Sequence, residues 1–164
     1  AYDSFSGFPD PTIEDISQYL PTLRSYDTTN TQHIIENYNH LDLNEFSKKH
    51  LNLVPGYFSE TIPKTEIKKI SFLHLDCDLY DSYKICIEHL LPKLSEKGLV
   101  LFDEYEEKKW PGATKAINES LGPFDLVLLY SHVMGRHLAV RSRLIEKPSE
   151  YFEILKNSLE LKHV

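Results

Sequence analysis

The sequence predicts an α/β fold: a mainly parallel, Rossmann-like sheet with helices on both faces. Two near-continuous apolar runs, Ile70–Leu75 and Gly98–Phe102, read as strands covered on both sides. A stretch of helical periodicity lies between them, as a parallel crossover requires. Each run also leads straight into acids, Asp76-Cys77-Asp78 and Asp103-Glu104. The 164 residues suffice for one core, and the chain is read as a single domain over 1–164.

Along the chain, residues 1–31 read as loop, punctuated by Gly7, Pro9, Pro11 and Pro21 and closed by the polar run Asp27–Thr31. A loop this long in a small domain is usually functional. From Thr31, a capping residue type, Ile34, Ile35, Tyr38 and Leu41 keep helical spacing, and further helical turns follow over Asp42–Lys49. Leu51–Val54 is a short strand stopped by Pro55-Gly56. After the strand Ile70–Leu75 comes a helix over Asp81–Leu94, with Ile85, Leu90, Leu91 and Leu94 on its apolar stripe. Gly98 ends that helix and opens the second strand. A helix over Ala113–Leu121 follows Trp110-Pro111-Gly112. Strands Phe124–Tyr130 and Arg136–Ser142 pair as an antiparallel hairpin, and Ser149–Leu161 is an amphipathic helix.

Composition excludes several classes. At 41% apolar and 12% aromatic residues, the chain is not intrinsically disordered. No apolar run approaches the ~20 residues of a membrane helix. The net charge of -7 argues against a nucleic-acid partner, which needs clustered Lys and Arg. Cys77 and Cys86 lack any zinc spacing and read as reduced thiols of a cytoplasmic protein.

Open α/β sheets bind ligands beyond the carboxyl ends of their strands. Parallel neighbours would bring Asp76, Asp78, Asp103 and Glu104 to one edge, where four carboxylates repel unless a cation lies among them. Hard oxygen ligands suit Mg²⁺ or Mn²⁺. The bland alternative is strand-end acids facing water. Asp78 has three readings: metal ligand, general base, or N-cap of the following helix. His33 could serve as acid or base, or be a surface histidine. His74, inside an apolar strand, reads as a core residue. Trp110 either walls a pocket or packs within a turn.

Five segments, in order, resemble the macrocin O-methyltransferase family. They are Asp3-Ser4-Phe5-Ser6-Gly7-Phe8-Pro9, the run Pro55–Pro63 (PGYFSETIP), Leu75–Ser82 (LDCDLYDS), Leu101–Tyr105 (LFDEY) and Trp110–Ile117 (WPGATKAI). The resemblance covers roughly residues 3–142. It implies a Rossmann-like fold and transfer of a methyl group from S-adenosylmethionine to a hydroxyl of a small acceptor, a sugar or other natural product, with Mg²⁺ or Mn²⁺ as metal. By position, Asp76, Asp103 and Glu104 would hold the metal, and Asp78 would be the candidate base. Asp3 would bind the cofactor ribose within the Asp3-Ser4-Phe5 segment, and Tyr57 would lie near the adenine. Residues 9–31 would be a lid.

The departures are specific. Glu104 stands where the family has Asp, Cys77 replaces Gly and Tyr57 replaces Trp. The family's first two strands and glycine-rich loop, which precede the Asp3 segment, are not found in this chain. The resemblance therefore implies the C-terminal portion of a longer enzyme, with a hydrophobic edge exposed on the strand leading to Asp76. A chain this short on its own would be expected to pair with a second copy as a homodimer. Two other readings compete. One is a nucleotide-sugar glycosyltransferase, since Asp76-Cys77-Asp78 also resembles a DxD metal signature. The other is a degenerate, non-catalytic domain, suggested by the missing cofactor loop.

Overall fold

The structure is a computed structural model that describes residues 1–19, 49–131, 134–142 and 161–162. The helix expected over 31–41, most of 42–49 and residues 149–160 of the helix expected over 149–161 lie outside the described residues, as does His33; Leu161 itself is a strand residue. Ten elements are used below. They are β1 (Tyr2–Asp3), β2 (Val54–Pro55), α1 (Phe58–Thr61), β3 (Ile70–Leu75), α2 (Tyr80–Leu90), β4 (Leu94–Phe102), α3 (Pro111–Ser120), β5 (Leu126–Ser131), β6 (Arg136–Arg141) and β7 (Leu161–Lys162).

Five strands form one mixed sheet in the order β3-β4-β6-β5-β7, and β1 and β2 form a separate parallel pair. Among the described strands of the larger sheet, β3–β4 is the one neighbouring pair that is parallel, and β5 and β6 are the expected antiparallel hairpin. The β3–β4 register matters most here. Leu75 lies opposite Phe102, so the residues that follow, Asp76 and Asp103, leave the sheet at the same level.

α2 carries Tyr83, Cys86, Ile87 and Leu90 on one buried stripe at the spacing of an amphipathic helix. α3 buries Gly112, Ala113, Ala116 and Ile117, and the three small residues among them let it pack closely on α2. Both helices contribute to the core cluster that includes Val100, Phe102 and Ala139 of the sheet. The opposite face gathers Leu129 and Val140 against Leu99 and Val127. Each fully buried large apolar side chain contributes roughly 1.5–3 kcal/mol.

Element boundaries differ from the sequence reading for local reasons. α2 stops at Leu90 rather than Leu94, because Pro92 cannot continue it and a short 3-10 turn takes over. β4 therefore starts at Leu94, and the ladder absorbs the extra residues through a register shift between Ile70 and Phe72. Gly98 lies inside β4, where a Cβ would sit 2.6 Å from Leu94 Cδ1 and 2.9 Å from the Ser95 carbonyl oxygen.

Among the described residues, β3 borders the larger sheet, and its outer edge carries Phe72, 55% exposed. This is the exposed apolar edge expected on the strand leading to Asp76. His74 differs from its core reading. On this edge strand its side chain is 45% exposed and Nε2 stands 3.5 Å from Asp103 Oδ1. Among the described residues, no helix is long and apolar enough to cross a membrane.

Candidate active site

Beyond the carboxyl ends of β1, β3 and β4 lies an open cavity of about 470 Å³. Every candidate residue that the structure describes lines it: Asp3, Ser4, Phe5, Tyr57, Asp76, Asp78, Asp103 and Glu104. Phe8 and Trp110 add an aromatic wall, their rings 5.6 Å apart. Trp110 is thus both packed in its turn and facing the cavity.

Asp76, Asp78 and Glu104 converge, each offering a carboxylate oxygen within 4.8 Å of the others. The backbone enforces this. Asp78 has φ +59, and the Leu79 N–H donates to the Cys77 carbonyl at 2.6 Å, a tight γ-type turn that returns the chain sharply into α2. A non-glycine residue in this conformation carries about 1 kcal/mol of strain or more, a condition concentrated at functional sites. Asp78 does not cap α2. Leu79 holds the N-cap position, and the Tyr80 N–H donates to Asp15 Oδ1 at 2.8 Å.

Glu104 is buried and hydrogen-bonded on several sides. The amides of Cys77 and Asp78 approach its Oε2 at 3.3 Å each, and the Tyr83 hydroxyl at 2.5 Å. Burial nevertheless pushes its carboxyl up to about 8; the Tyr83 bond opposes the rise, and Asp78 and Asp76 add to it. Burial likewise raises Asp78 to about 7, with Asp76 adding to the rise and Lys109 opposing it. These acids hold protons tightly because burial penalises their charged forms, and the neighbouring carboxylates add to this.

Asp103 lines the same cavity but is engaged elsewhere. Its Oδ1 pairs with Arg136 Nε at 2.9 Å. Burial works to raise its carboxyl, yet Arg136 and then His74 overcome this and hold it below the usual range.

On the far side, Asp3 ends β1. Its Oδ1 accepts the Phe5 N–H at 2.8 Å, and the Ser4 hydroxyl donates to the Gly7 carbonyl at 2.6 Å, so the Asp3-Ser4-Phe5 segment forms a compact loop. Cys77 and Cys86 are free and buried, and the fold brings their sulfurs within 3.8 Å of each other. Burial pushes the Cys77 thiol well up, which favours the protonated form.

Four residues not singled out from the sequence shape the site: Asp15, Tyr83, Lys109 and Arg136. Tyr83 and Arg136 meet the acids through long-range register, which no local motif announces. Asp15 lies inside a segment that the sequence reads as loop, where no motif marks it out.

Comparison with known proteins shows the family and the fold. Residues 1–120 match the Macrocin-O-methyltransferase (TylF) family. Demethyldecarbamoylnovobiocin O-methyltransferase of Streptomyces niveus is 29% identical over 128 residues, covering 76% of this chain and 47% of that protein. Mycinamicin III 3''-O-methyltransferase of Micromonospora griseorubida is 28% identical over 116 residues, covering 63% and 42%. The solved structure of the O-methyltransferase NovP superposes with a TM-score of 0.70 at 26% identity, covering 87% of this chain and 59% of that one. CalS11, a calicheamicin methyltransferase, gives 0.67 at 26% identity, covering 86% and 58%. The fold is the Rossmann-like α/β fold of these methyltransferases. This chain spans less than half the length of the curated relatives it matches.

Proposed function

The chain belongs to the macrocin O-methyltransferase family, and from that premise we propose that it carries the cation- and acceptor-binding part of an S-adenosylmethionine-dependent O-methyltransferase acting on a sugar hydroxyl of a natural product. The observation that carries this is the convergence of Asp76, Asp78 and Glu104 in a cavity shared with Asp3 and Tyr57.

The residues fit a hard divalent cation. The donor set is all carboxylate oxygen, and two of its members are driven toward protonation by burial and their neighbours' charge. Asp76 and Glu104 would hold Mg²⁺ or Mn²⁺, with Asp103 as third ligand once parted from Arg136. A bound cation would polarise the acceptor hydroxyl and lower its pKa. Asp78, beside the ligands, would take the proton of the acceptor hydroxyl as general base. Asp3 would accept hydrogen bonds from the ribose, with Tyr57 beside the adenine. Phe8 and Trp110 would exclude water from one wall; of the lid expected over 9–31, residues 20–31 lie outside the described residues. Methyl transfer is an in-line displacement, so positioning these partners is the protein's main task. His33 is a second acid–base candidate, tested by His33→Ala.

Isothermal titration with S-adenosylhomocysteine and Mg²⁺ tests the reading. Binding of the nucleoside, together with loss of turnover but not of folding in Asp76→Ala and Asp103→Ala, supports it. Preference for a nucleotide-sugar, or wild-type turnover in either variant, overturns it.

A further inference from the structure

We infer that Asp15 is a positioning residue: its carboxylate is a borrowed N-cap that ties the cavity-wall segment of residues 8–19 to the start of α2, and so to the acid-bearing turn before it. The functional half of this inference rests on the methyltransferase reading; the structural half does not.

The argument starts from what α2 lacks. The first amides of a helix have no partner within it, and a side chain at the N-cap usually supplies one. Here the N-cap residue is Leu79, whose side chain has no acceptor. Asp15, 65 residues earlier, supplies it: Oδ1 accepts the Tyr80 N–H at 2.8 Å. A carboxylate at this place also meets the positive end of the helix dipole. Its other oxygen, Oδ2, accepts the Thr12 N–H at 2.8 Å and the Thr12 hydroxyl at 2.9 Å. One carboxylate thus closes its own loop and holds that loop on α2.

Asp15 is 3% exposed, so these bonds are shielded from water. The neighbouring α3 is shaped to admit it. A Cβ at Gly112 would overlap Asp15 Oδ1 and lie 3.0 Å from Tyr80 Cβ, so only glycine leaves room for the carboxylate. Two further ties hold the segment. The Ser17 hydroxyl donates to the Lys109 carbonyl at 3.1 Å, and Lys115 Nζ pairs with Glu14 at 3.2 Å.

The consequence reaches the site from two directions. Phe8, Pro9 and Asp10, at the head of the segment, line the acidic cavity. On the other side, Asp76 and Asp78 sit on the short turn between β3 and α2, whose far end is the amide that Asp15 holds. Loosening Asp15 frees the wall and the acids' anchor together.

Hydrogen exchange resolved at single amides tests this without relying on turnover. In Asp15→Ala, the amides of Thr12 and Tyr80 should exchange roughly tenfold faster or more, as for a lost cap, with β4 and β6 unchanged. Asp15→Asn keeps one acceptor oxygen in place of two, and should restore protection at one of the two amides only. Gly112→Ala, which evicts the carboxylate without altering it, should reproduce the Asp15→Ala pattern. Unchanged exchange at both amides in Asp15→Ala overturns the inference. So does a uniform rise across the sheet in Asp15→Asn, which would mark a general packing role. Should the local pattern appear while S-adenosylhomocysteine fails to bind the wild-type chain, the clamp stands and the methyltransferase reading falls.

Discussion

The Tyr83 hydroxyl stands 2.5 Å from Glu104 Oε2 and 2.9 Å from the Leu75 carbonyl oxygen. One hydroxyl proton cannot serve both acceptors. With Glu104 ionised, Tyr83 donates to the carboxylate, and the Leu75 carbonyl still accepts the Asp103 N–H at 3.0 Å. With Glu104 protonated, the acid donates to Tyr83 and Tyr83 donates to Leu75. Tyr83 therefore satisfies the buried acid in either state and favours the ionised one.

Tyr83→Phe removes that donor. A hydrogen bond to a charged group contributes about 1.5–3 kcal/mol, so Glu104 should hold its proton more tightly and divalent-cation affinity should fall roughly tenfold or more. Titration of Mn²⁺ followed by its paramagnetic resonance signal measures this. Equal affinity in the variant and the wild type would show that Glu104 does not take part in cation binding.

Stability should fall as pH rises from about 5 to about 8 in the absence of divalent cations. Glu104 and Asp78 bind protons more tightly folded, up to about 8 and about 7, than at their ordinary values of 4.5 and 3.8. Between those limits the folded chain holds more protons than the unfolded chain, so the slope of unfolding free energy with pH is negative. The favourable contribution is complete below the ordinary values and is lost as pH passes the folded ones. Its ceiling is about 1.4 kcal/mol per pH unit for one group, and the two acids interact, so their contributions do not simply add. Melting curves at pH 5 to 8.5 test the sign, and Glu104→Gln should flatten the trend. A midpoint that climbs across this range would contradict it.

Much of this site was legible in the sequence. The apolar runs located β3 and β4, and their parallel pairing put Asp76 and Asp103 at one edge. What the runs did not declare was which acid turns where. Strand alternation carried past Phe102 sends consecutive residues to opposite sides. Phe102 belongs to the core cluster with α2 and α3, and two residues on, Glu104 follows it toward Tyr83 of α2. Asp103, between them, turns toward His74 and Arg136. Arg136 and Asp15 could not be placed from local pattern, because both reach the site through contacts distant in sequence. The sulfur proximity of Cys77 and Cys86 likewise depends on how α2 leaves the turn.

Arg136→Ala should separate competition from support at Asp103. The ion pair is about one-third exposed on both sides, so its loss should cost about 1 kcal/mol or less. The carboxyl of Asp103 should rise toward its ordinary value, since Arg136, ahead of His74, is the main group that overcomes burial there. If Asp103 is a metal ligand, removing its competitor should tighten Mn²⁺ binding. Weaker binding in this variant would assign Arg136 a supporting role and remove Asp103 from the ligand set.

The outer edge of β3 should make this chain self-associate. The Leu75 carbonyl faces β4, where the Asp103 N–H meets it, so by strand alternation the backbone groups of Phe72 and His74 point away from β4, to the side where no strand pairs among the described residues. Phe72 adds an exposed aromatic ring at 55% accessibility. Unpaired strand edges with apolar side chains template pairing with other chains, and a lysine on such an edge opposes it. Sedimentation velocity over a concentration series should therefore show a dimer or larger species that Phe72→Lys shifts toward monomer. The substitution lies on the exposed edge, so the melting midpoint should change little. A wild-type chain that stays monomeric at the highest concentration would show that this edge is covered.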